Sequence, residues 1–186
     1  LSKDIYELYG IEGIGSRLYF KGVSAILSNE YIFNGRCKRP PKDPYNSLIS
    51  FGYSILYSEI LIMIKQEKLS PFYGFMHITR NGHATLASDI MEEFRYQIVD
   101  SVAIYCLYNN VFKIEDFQVS KFNFGIYLDK KLRKQFISKI INRLNDTHKY
   151  NGKEESYRES IIKQIKSYKH ILNTNNTEEY RQFLIR

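Results

Sequence analysis

The chain has 186 residues, 44% hydrophobic and 25% charged, enough to bury roughly two-thirds of the surface its unfolded form exposes, and one compact domain is the expectation. Ten glycines and four prolines exclude a collagen-like or low-complexity chain, and the interspersed Ile, Leu, Phe and Tyr exclude global disorder. The net charge of +7 is uneven: residues 1–100 carry 11 Lys/Arg and 11 Asp/Glu, residues 101–186 carry 16 and 9, which suits either a polyanion-binding half or a solvated lysine-rich surface.

From Ile5 to Leu27 the apolar residues Leu8, Ile11, Leu18, Phe20, Val23, Ile26 and Leu27 recur at three- and four-residue spacings among Gly10, Gly13 and Gly15, which predicts a glycine-loosened helix. The basic run from Arg36 to Pro44 contains Pro40, Pro41 and Pro44 and predicts a loop of fixed shape. Residues 45–67 are apolar on nearly every side, as in a central core helix. Within them the greasiest run, Ile55 to Ile64, carries Ser58 and Glu59, which argues against a membrane span. Pro71 and Gly74 break the next stretch, Asn81-Gly82 marks a turn, and Thr85 to Asn109 is helical. Residues 117–128 alternate weakly, predicting a small hairpin as the sole β element. Two basic amphipathic helices over 129–149 and 155–172, separated by Asn151-Gly152, and a short terminal helix over about 177–184 complete a mainly α, multi-helix domain.

Cys37 and Cys106 have neither the density nor the spacing of a disulfide framework or a zinc site, and no signal peptide is visible. A reducing cytoplasm is the simplest expectation. A first residue Leu1 rather than Met suggests a fragment or a processed product.

Three features invite chemistry. Asp89, Glu92 and Glu93 fall on one helical side, where like charges repel unless solvated, paired or bound to a cation. His77 sits in a loop fifteen residues before Glu92, near enough for imidazole and carboxylate to meet, although a lone histidine also reads as a satisfied core residue. Glu12 places a carboxylate between Ile11 and Gly13, where the pattern expects core; a buried salt bridge to Arg17 or Arg95 is the plain alternative.

These residues also carry a family resemblance. The ordered set Glu12-Gly13, Lys38-Arg39-Pro40-Pro41-Lys42-Asp43-Pro44-x-Asn46, Ser50-Phe51-Gly52-Tyr53, Gly74-Phe75-x-His77 and Leu86-Ala87-x-Asp89-x-x-Glu92-x-Phe94-Arg95 resembles the CRISPR-associated integrase family Cas1. Gly125 through Lys134-x-Phe136 resembles its continuation, and Tyr180-Arg181-x-Phe183-Leu184-x-Arg186 its usual end, with Gln182 and Ile185 departing from common proline and tryptophan. The resemblance implies the family's α-helical carboxyl-terminal catalytic domain over residues 1–186, without the amino-terminal β-rich domain through which full-length relatives form homodimers, and a small partner, Cas2. It implies metal-dependent DNA endonuclease and integrase activity in acquiring CRISPR spacers. Glu12, His77 and Glu92 are the implied metal ligands. Asp89 is implied to support the site or a second ion, Arg95 to lie beside it, and Tyr57 and Asn46 to lie close by. Glu93 and His83 match nothing and read as surface residues, while Glu59 reads as a buried structural carboxylate.

Two carboxylates and a neutral imidazole suit Mg²⁺ or Mn²⁺, the nitrogen favouring Mn²⁺. Arg36, Lys38, Arg39 and Lys42 are candidate phosphate grips beside the site, although their loop also reads as a packing element. Lys130, Lys131, Arg133 and Lys134, with Lys139 and Arg143, are candidates for a longer DNA track. A casposase-type transposon integrase and a noncatalytic DNA-binding scaffold of the same fold are the rival readings.

Overall fold

A computed structural model describes residues 5–27, 29–77, 82–150 and 152–183. The chain divides into two compact units, each discontinuous: Leu1–Ser50 with Ala103–Arg133, and Phe51–Val102 with Lys134–Arg186. Helices dominate: α1 Ile5–Ile26, α2 Pro44–Gln66, α3 Thr85–Arg95, α4 Ser101–Tyr108, α5 Lys130–Asn145 and α6 Tyr157–Thr174. Two antiparallel hairpins accompany them, β1 Phe117–Val119 with β2 Ile126–Leu128, and β3 Thr147–Tyr150 with β4 Lys153–Ser156.

In the first unit α1 runs unbroken through Gly10, Gly13 and Gly15. Ile11, Ile14, Leu18 and Ile26 are exposed, and the helix buries Phe20 and Val23. Phe20, Phe33 and Tyr45 then pack edge-on in series, with ring centroids 5.8 and 4.8 Å apart. α2 starts where the sequence supplies its start signals. Asp43 Oδ1 accepts the Asn46 N–H at 2.7 Å, and Pro44, with no N–H of its own, fills the first helical position. The first hairpin rests on the proline loop: the Ile126 N–H donates to Pro41 O at 2.9 Å, and a Cβ on Gly125 would come within 2.7 Å of Pro40 Cβ.

The α2 helix is long and apolar enough to cross a bilayer by length and composition alone. Its Leu48, Ile49, Leu56, Ile60 and Ile64 are nevertheless 0% exposed, enclosed by protein as a core helix should be. It stops in a Schellman pattern, Lys68 N–H to Lys65 O and Leu69 N–H to Ile64 O, with Lys68 left-handed at φ 59°.

In the second unit Gly52 allows close approach of Val99, whose Cγ1 would collide with a Cβ at position 52. The Tyr53 hydroxyl donates to buried Asp100 at 2.6 Å. The expected helix over Thr85 to Asn109 is divided by a π-helical turn at Tyr96–Asp100, after which α4 continues. α5 ends at Asn145 rather than 149, because the next residues pair as β3 with β4 across Gly152 at φ 77°. This second hairpin adds to the one the sequence predicts. α6 opens with a reciprocal capping box between Ser156 and Glu159 and ends at left-handed Asn175. Beyond it the expected terminal helix is a single 3₁₀ turn, Thr177–Glu179, with Leu184, Ile185 and Arg186 outside the described residues. Glu59 pairs with Arg158 of α6 at 3.0 Å, which agrees with a structural role, but its side chain is 26% exposed rather than buried.

Candidate functional site

The best-defined site chemistry lies in the second unit, where the loop 71–77 is laced onto the first turns of α3. The Leu86 N–H donates to Pro71 O at 3.0 Å. Thr85 Oγ1 donates to Phe72 O at 2.8 Å while accepting the Gly74 N–H at 2.9 Å. One turn further, Asp89 is the clamp. Its Oδ2 accepts the N–H groups of Phe75 and Met76 at 2.5 and 3.0 Å, and its Oδ1 accepts the His77 N–H at 3.0 Å and contacts His77 Nδ1 at 2.6 Å. Gly74 is needed for this approach, since a Cβ there would stand 2.8 Å from the Thr85 carbonyl carbon and collide with the Asp89 carboxylate.

The Asp89 side chain is 0% exposed and that of His77 is 39% exposed. A buried carboxylate thus orients a ring that reaches solvent. An ionised carboxylate only accepts, so this contact favours the tautomer with the proton on Nδ1 and leaves Nε2 as the ring's acceptor nitrogen. This is the arrangement commonly found behind a metal-ligating imidazole, and Asp89 serves in it as an orienting group.

The three acids of α3 do not gather into one cluster. Successive residues turn by about 100° around a helix axis, and each acid finds different partners. Asp89 faces the His77 loop. Glu92 is held by Arg95 at 2.8–2.9 Å on the same helix. Glu93 faces α6 and the carboxyl-terminal segment, accepting from Gln164 Nε2 at 2.7 Å, from the Phe183 N–H at 2.8 Å and from the Tyr180 hydroxyl. Glu93 is therefore an organised residue rather than a surface one. Its signal is visible in the sequence only as an acid beside the motif.

Glu12 lies on α1 in the first unit and is exposed, not buried, so a buried salt bridge does not account for it. Among the described residues no group of three or more His, Cys, Asp or Glu side chains is arranged to hold a metal ion. In the second unit His77 offers an oriented imidazole and Glu92 a carboxylate, donor types that suit a hard or borderline divalent cation. Tyr57 supports α3, its hydroxyl accepting the Ala84 N–H at 3.0 Å while its ring stacks on His83 at 5.8 Å. His83 in turn contacts Ser88 Oγ through Nε2 at 3.0 Å.

In the first unit the proline loop is organised around fully buried Asn46. Its Nδ2 donates to Gly35 O at 2.8 Å and Asp43 Oδ2 at 2.6 Å, and its Oδ1 accepts from Arg36 at 2.8 Å and the Cys37 N–H at 2.9 Å. All four of its bonding positions are used, so Asn46 is the centre of the loop. Burial pushes the Asp43 carboxyl above its ordinary value, despite hydrogen bonds from Asn46 and the charge of Arg36. Arg36 turns inward, donating also to Ser50 Oγ at 3.0 Å and Cys37 O at 3.0 Å, whereas Lys38, Arg39 and Lys42 are exposed. A cleft of about 560 Å³ beside this loop is lined in part by Tyr31, Arg36, Lys42, Asp43, Ile114 and Ile126, and by none of Glu12, His77 or Glu92. On α5, Lys130, Lys131 and Lys134 are exposed, while Arg133 donates through Nε to Leu128 O at 3.1 Å.

Residues 2–142 match the family model described as CRISPR associated protein Cas1. The chain is 36% identical over 189 residues to CRISPR-associated endonuclease Cas1 3 of Thermus thermophilus, covering 100% of this chain and 55% of that relative. Its fold is similar to a chain of a Cas6-RT-Cas1–Cas2 complex, with a TM-score of 0.86 and 30% identity over 98% of this chain and 20% of that one. It is equally similar to a casposase bound to integration product, at TM-score 0.86 and 26% identity, covering 97% and 56% of the two chains. The chain belongs to the Cas1 family. It spans about half the length of the curated relatives it matches.

Proposed function

We propose that residues 1–186 form the catalytic domain of a metal-dependent DNA endonuclease and integrase that inserts spacer DNA into a CRISPR array by phosphodiester transesterification. The observation that carries this reading is the Asp89 clamp on His77, inside a chain that belongs to the Cas1 family. In this proposal Glu12, His77 and Glu92 hold Mg²⁺ or Mn²⁺. When bound, such an ion would supply counter-charge to the negative charge growing on the nonbridging phosphate oxygens and would favour the alkoxide form of the attacking hydroxyl.

The chain's own groups prepare the site. Asp89 fixes the tautomer and direction of His77, Arg95 restrains the Glu92 carboxylate, and Tyr57 anchors the start of α3. In strand transfer a DNA 3′-hydroxyl attacks phosphorus, one P–O bond forms as another breaks, and the leaving strand keeps the displaced 3′-oxygen. Water in place of that hydroxyl gives hydrolysis. Exposed Lys38, Arg39 and Lys42, in a loop shaped by Arg36, grip backbone phosphates together with Lys130, Lys131, Arg133 and Lys134. The partners proposed are DNA, a second copy of the protein and Cas2, in keeping with the likeness to a chain of a Cas6-RT-Cas1–Cas2 complex.

The likeness to a casposase bound to integration product supports a second reading, a transposon-type integrase with the same reaction and a different DNA substrate. Strand transfer by the wild type and by Glu12→Ala with Mn²⁺ tests the shared chemistry. Loss of transfer in a folded Glu12→Ala protein is expected, and retained transfer would contradict the ligand set. Comparing CRISPR-repeat targets with other duplexes separates the two readings.

A further inference from the structure

The His77 loop is held from a second side by groups that the proposed chemistry does not use. Phe75, two residues before His77, packs against Tyr168 of α6 and Tyr180 of the carboxyl-terminal segment, with ring centroids 5.6 and 6.1 Å apart. The Tyr168 hydroxyl donates to Tyr73 O at 3.1 Å, so the loop backbone is tied to α6 as well. Tyr180 in turn donates its hydroxyl to Glu93, the residue beside Glu92 on α3. Glu93 also fixes the segment through the Phe183 N–H, and the Phe183 ring stacks on Phe94 of the same helix at 4.5 Å. Gln164 closes the circuit by donating to both Glu93 and Arg181 O. Burial, then the Glu93 carboxylate, push the Tyr180 phenol far above its ordinary value, so it remains a donor.

From these contacts we propose that the Tyr180–Glu93 hydrogen bond is a latch by which the docked carboxyl-terminal segment positions the His77 loop. Asp89 grips the loop backbone and ring, while the latch holds the Phe75 side chain that precedes them. Tyr180 and Glu93 are positioning residues that act through Phe75 on His77. Displacing residues 180–183 would release one of the two holds on the loop while leaving α3 itself in place. The consequence for catalysis rests on the role proposed for His77, but the positional claim does not.

The test uses Tyr180→Phe, which keeps the ring against Phe75 and removes the hydroxyl, and Tyr180→Ala, which removes both. Histidine ¹⁵N NMR without metal reads the His77 Nδ1–H signal, which a role confined to global stability would leave unchanged in the folded protein. The wild type should show one sharp signal. Tyr180→Ala should shift or broaden it, with Tyr180→Phe intermediate. Mn²⁺ affinity should fall by roughly tenfold in Tyr180→Ala, the scale on which loss of a residue supporting a ligand acts, and kcat should fall more than KM changes. An unchanged His77 signal and unchanged Mn²⁺ affinity in folded Tyr180→Ala would overturn the latch, even if its melting temperature fell. Cleavage retained by His77→Ala would instead refute the functional reading, and the metal-free NMR signal would still decide the latch.

Discussion

One oxygen of Asp89 fixes both the backbone and the ring of His77: Oδ1 accepts the His77 N–H at 3.0 Å and lies 2.6 Å from its Nδ1. The paired contact removes rotation about the loop and about the imidazole together. A side chain that is 39% exposed is thereby held by one that is 0% exposed. Removing Asp89 would strand three loop N–H donors as well as the ring nitrogen.

Gly74→Ala should loosen this arrangement from the backbone side. The added methyl would stand 2.8 Å from the Thr85 carbonyl carbon and 3.0 Å from the Leu86 nitrogen, atoms that cannot yield without moving α3. A loss of about 1–3 kcal/mol is expected from such overpacking, with DNA cleavage falling more steeply than stability. Thermal melts beside cleavage rates check it, and wild-type values of both would show that the loop shifts freely.

Asn46→Leu in the first unit should cost about 2–4 kcal/mol. Its four hydrogen bonds are all made inside protein, and taking the Asn46 side chain away from Gly35 O, Asp43 Oδ2 and the Cys37 N–H costs about 1–3 kcal/mol for each group left unsatisfied, not additively. Urea unfolding measures the loss. A change below about 0.5 kcal/mol, the range of an ordinary surface substitution, would contradict the central place given to Asn46.

How much of this was legible varies with the kind of signal. The α2 start was legible to within one residue, because the proline run gives way at Pro44 to a segment apolar on nearly every side. The first hairpin followed from weak alternation, and the His77 loop from the breakers Pro71 and Gly74. The division of Asp89, Glu92 and Glu93 among three sets of partners was not readable, because helical spacing gives an angle and tertiary packing decides what occupies it. The β3–β4 hairpin was hidden because Thr147 and Lys149 are exposed while His148 and Tyr150 are only half-buried, so no strong apolar alternation flags the strands around Asn151-Gly152. The π-helical turn at Tyr96–Asp100 leaves no local composition signal.

Acidification should weaken the second unit in two stages. Burial, with Arg143 and Lys163 nearby, holds the His148 imidazole below its ordinary 6.5, against the opposing pull of Glu155. The unfolded chain then takes up a proton before the folded one does, so stability falls as pH drops below about 6.5. Burial pushes Glu155 up, but Lys163 and Ser160 outweigh it and hold the carboxyl below its ordinary 4.5, so its contribution is present above 4.5 and lost as pH falls through the folded value. Melting temperatures from pH 7.5 to 4 should show both losses. His148→Phe, which keeps a ring against Tyr157, should remove the upper one. A wild-type melting temperature flat from pH 7 to 5 would contradict the assignment.

DNA binding should depend steeply on salt and little on sequence. Each phosphate contact contributes roughly 0.9 to the slope of log affinity against log salt, so replacing exposed Lys130, Lys131 and Lys134 by Glu should flatten the slope by up to about 3. Binding isotherms at four salt concentrations measure it, and an unchanged slope would place this face away from DNA.

Whether His77 supplies a nitrogen to a bound divalent ion is the decisive question. Electron spin echo envelope modulation of the Mn²⁺-loaded protein reads that nitrogen, and comparing the wild type with His77→Ala assigns it. Imidazole modulation present in the wild type and lost in His77→Ala is the predicted result. Mn²⁺ bound without nitrogen modulation in the wild type, or with modulation that survives His77→Ala, would contradict it.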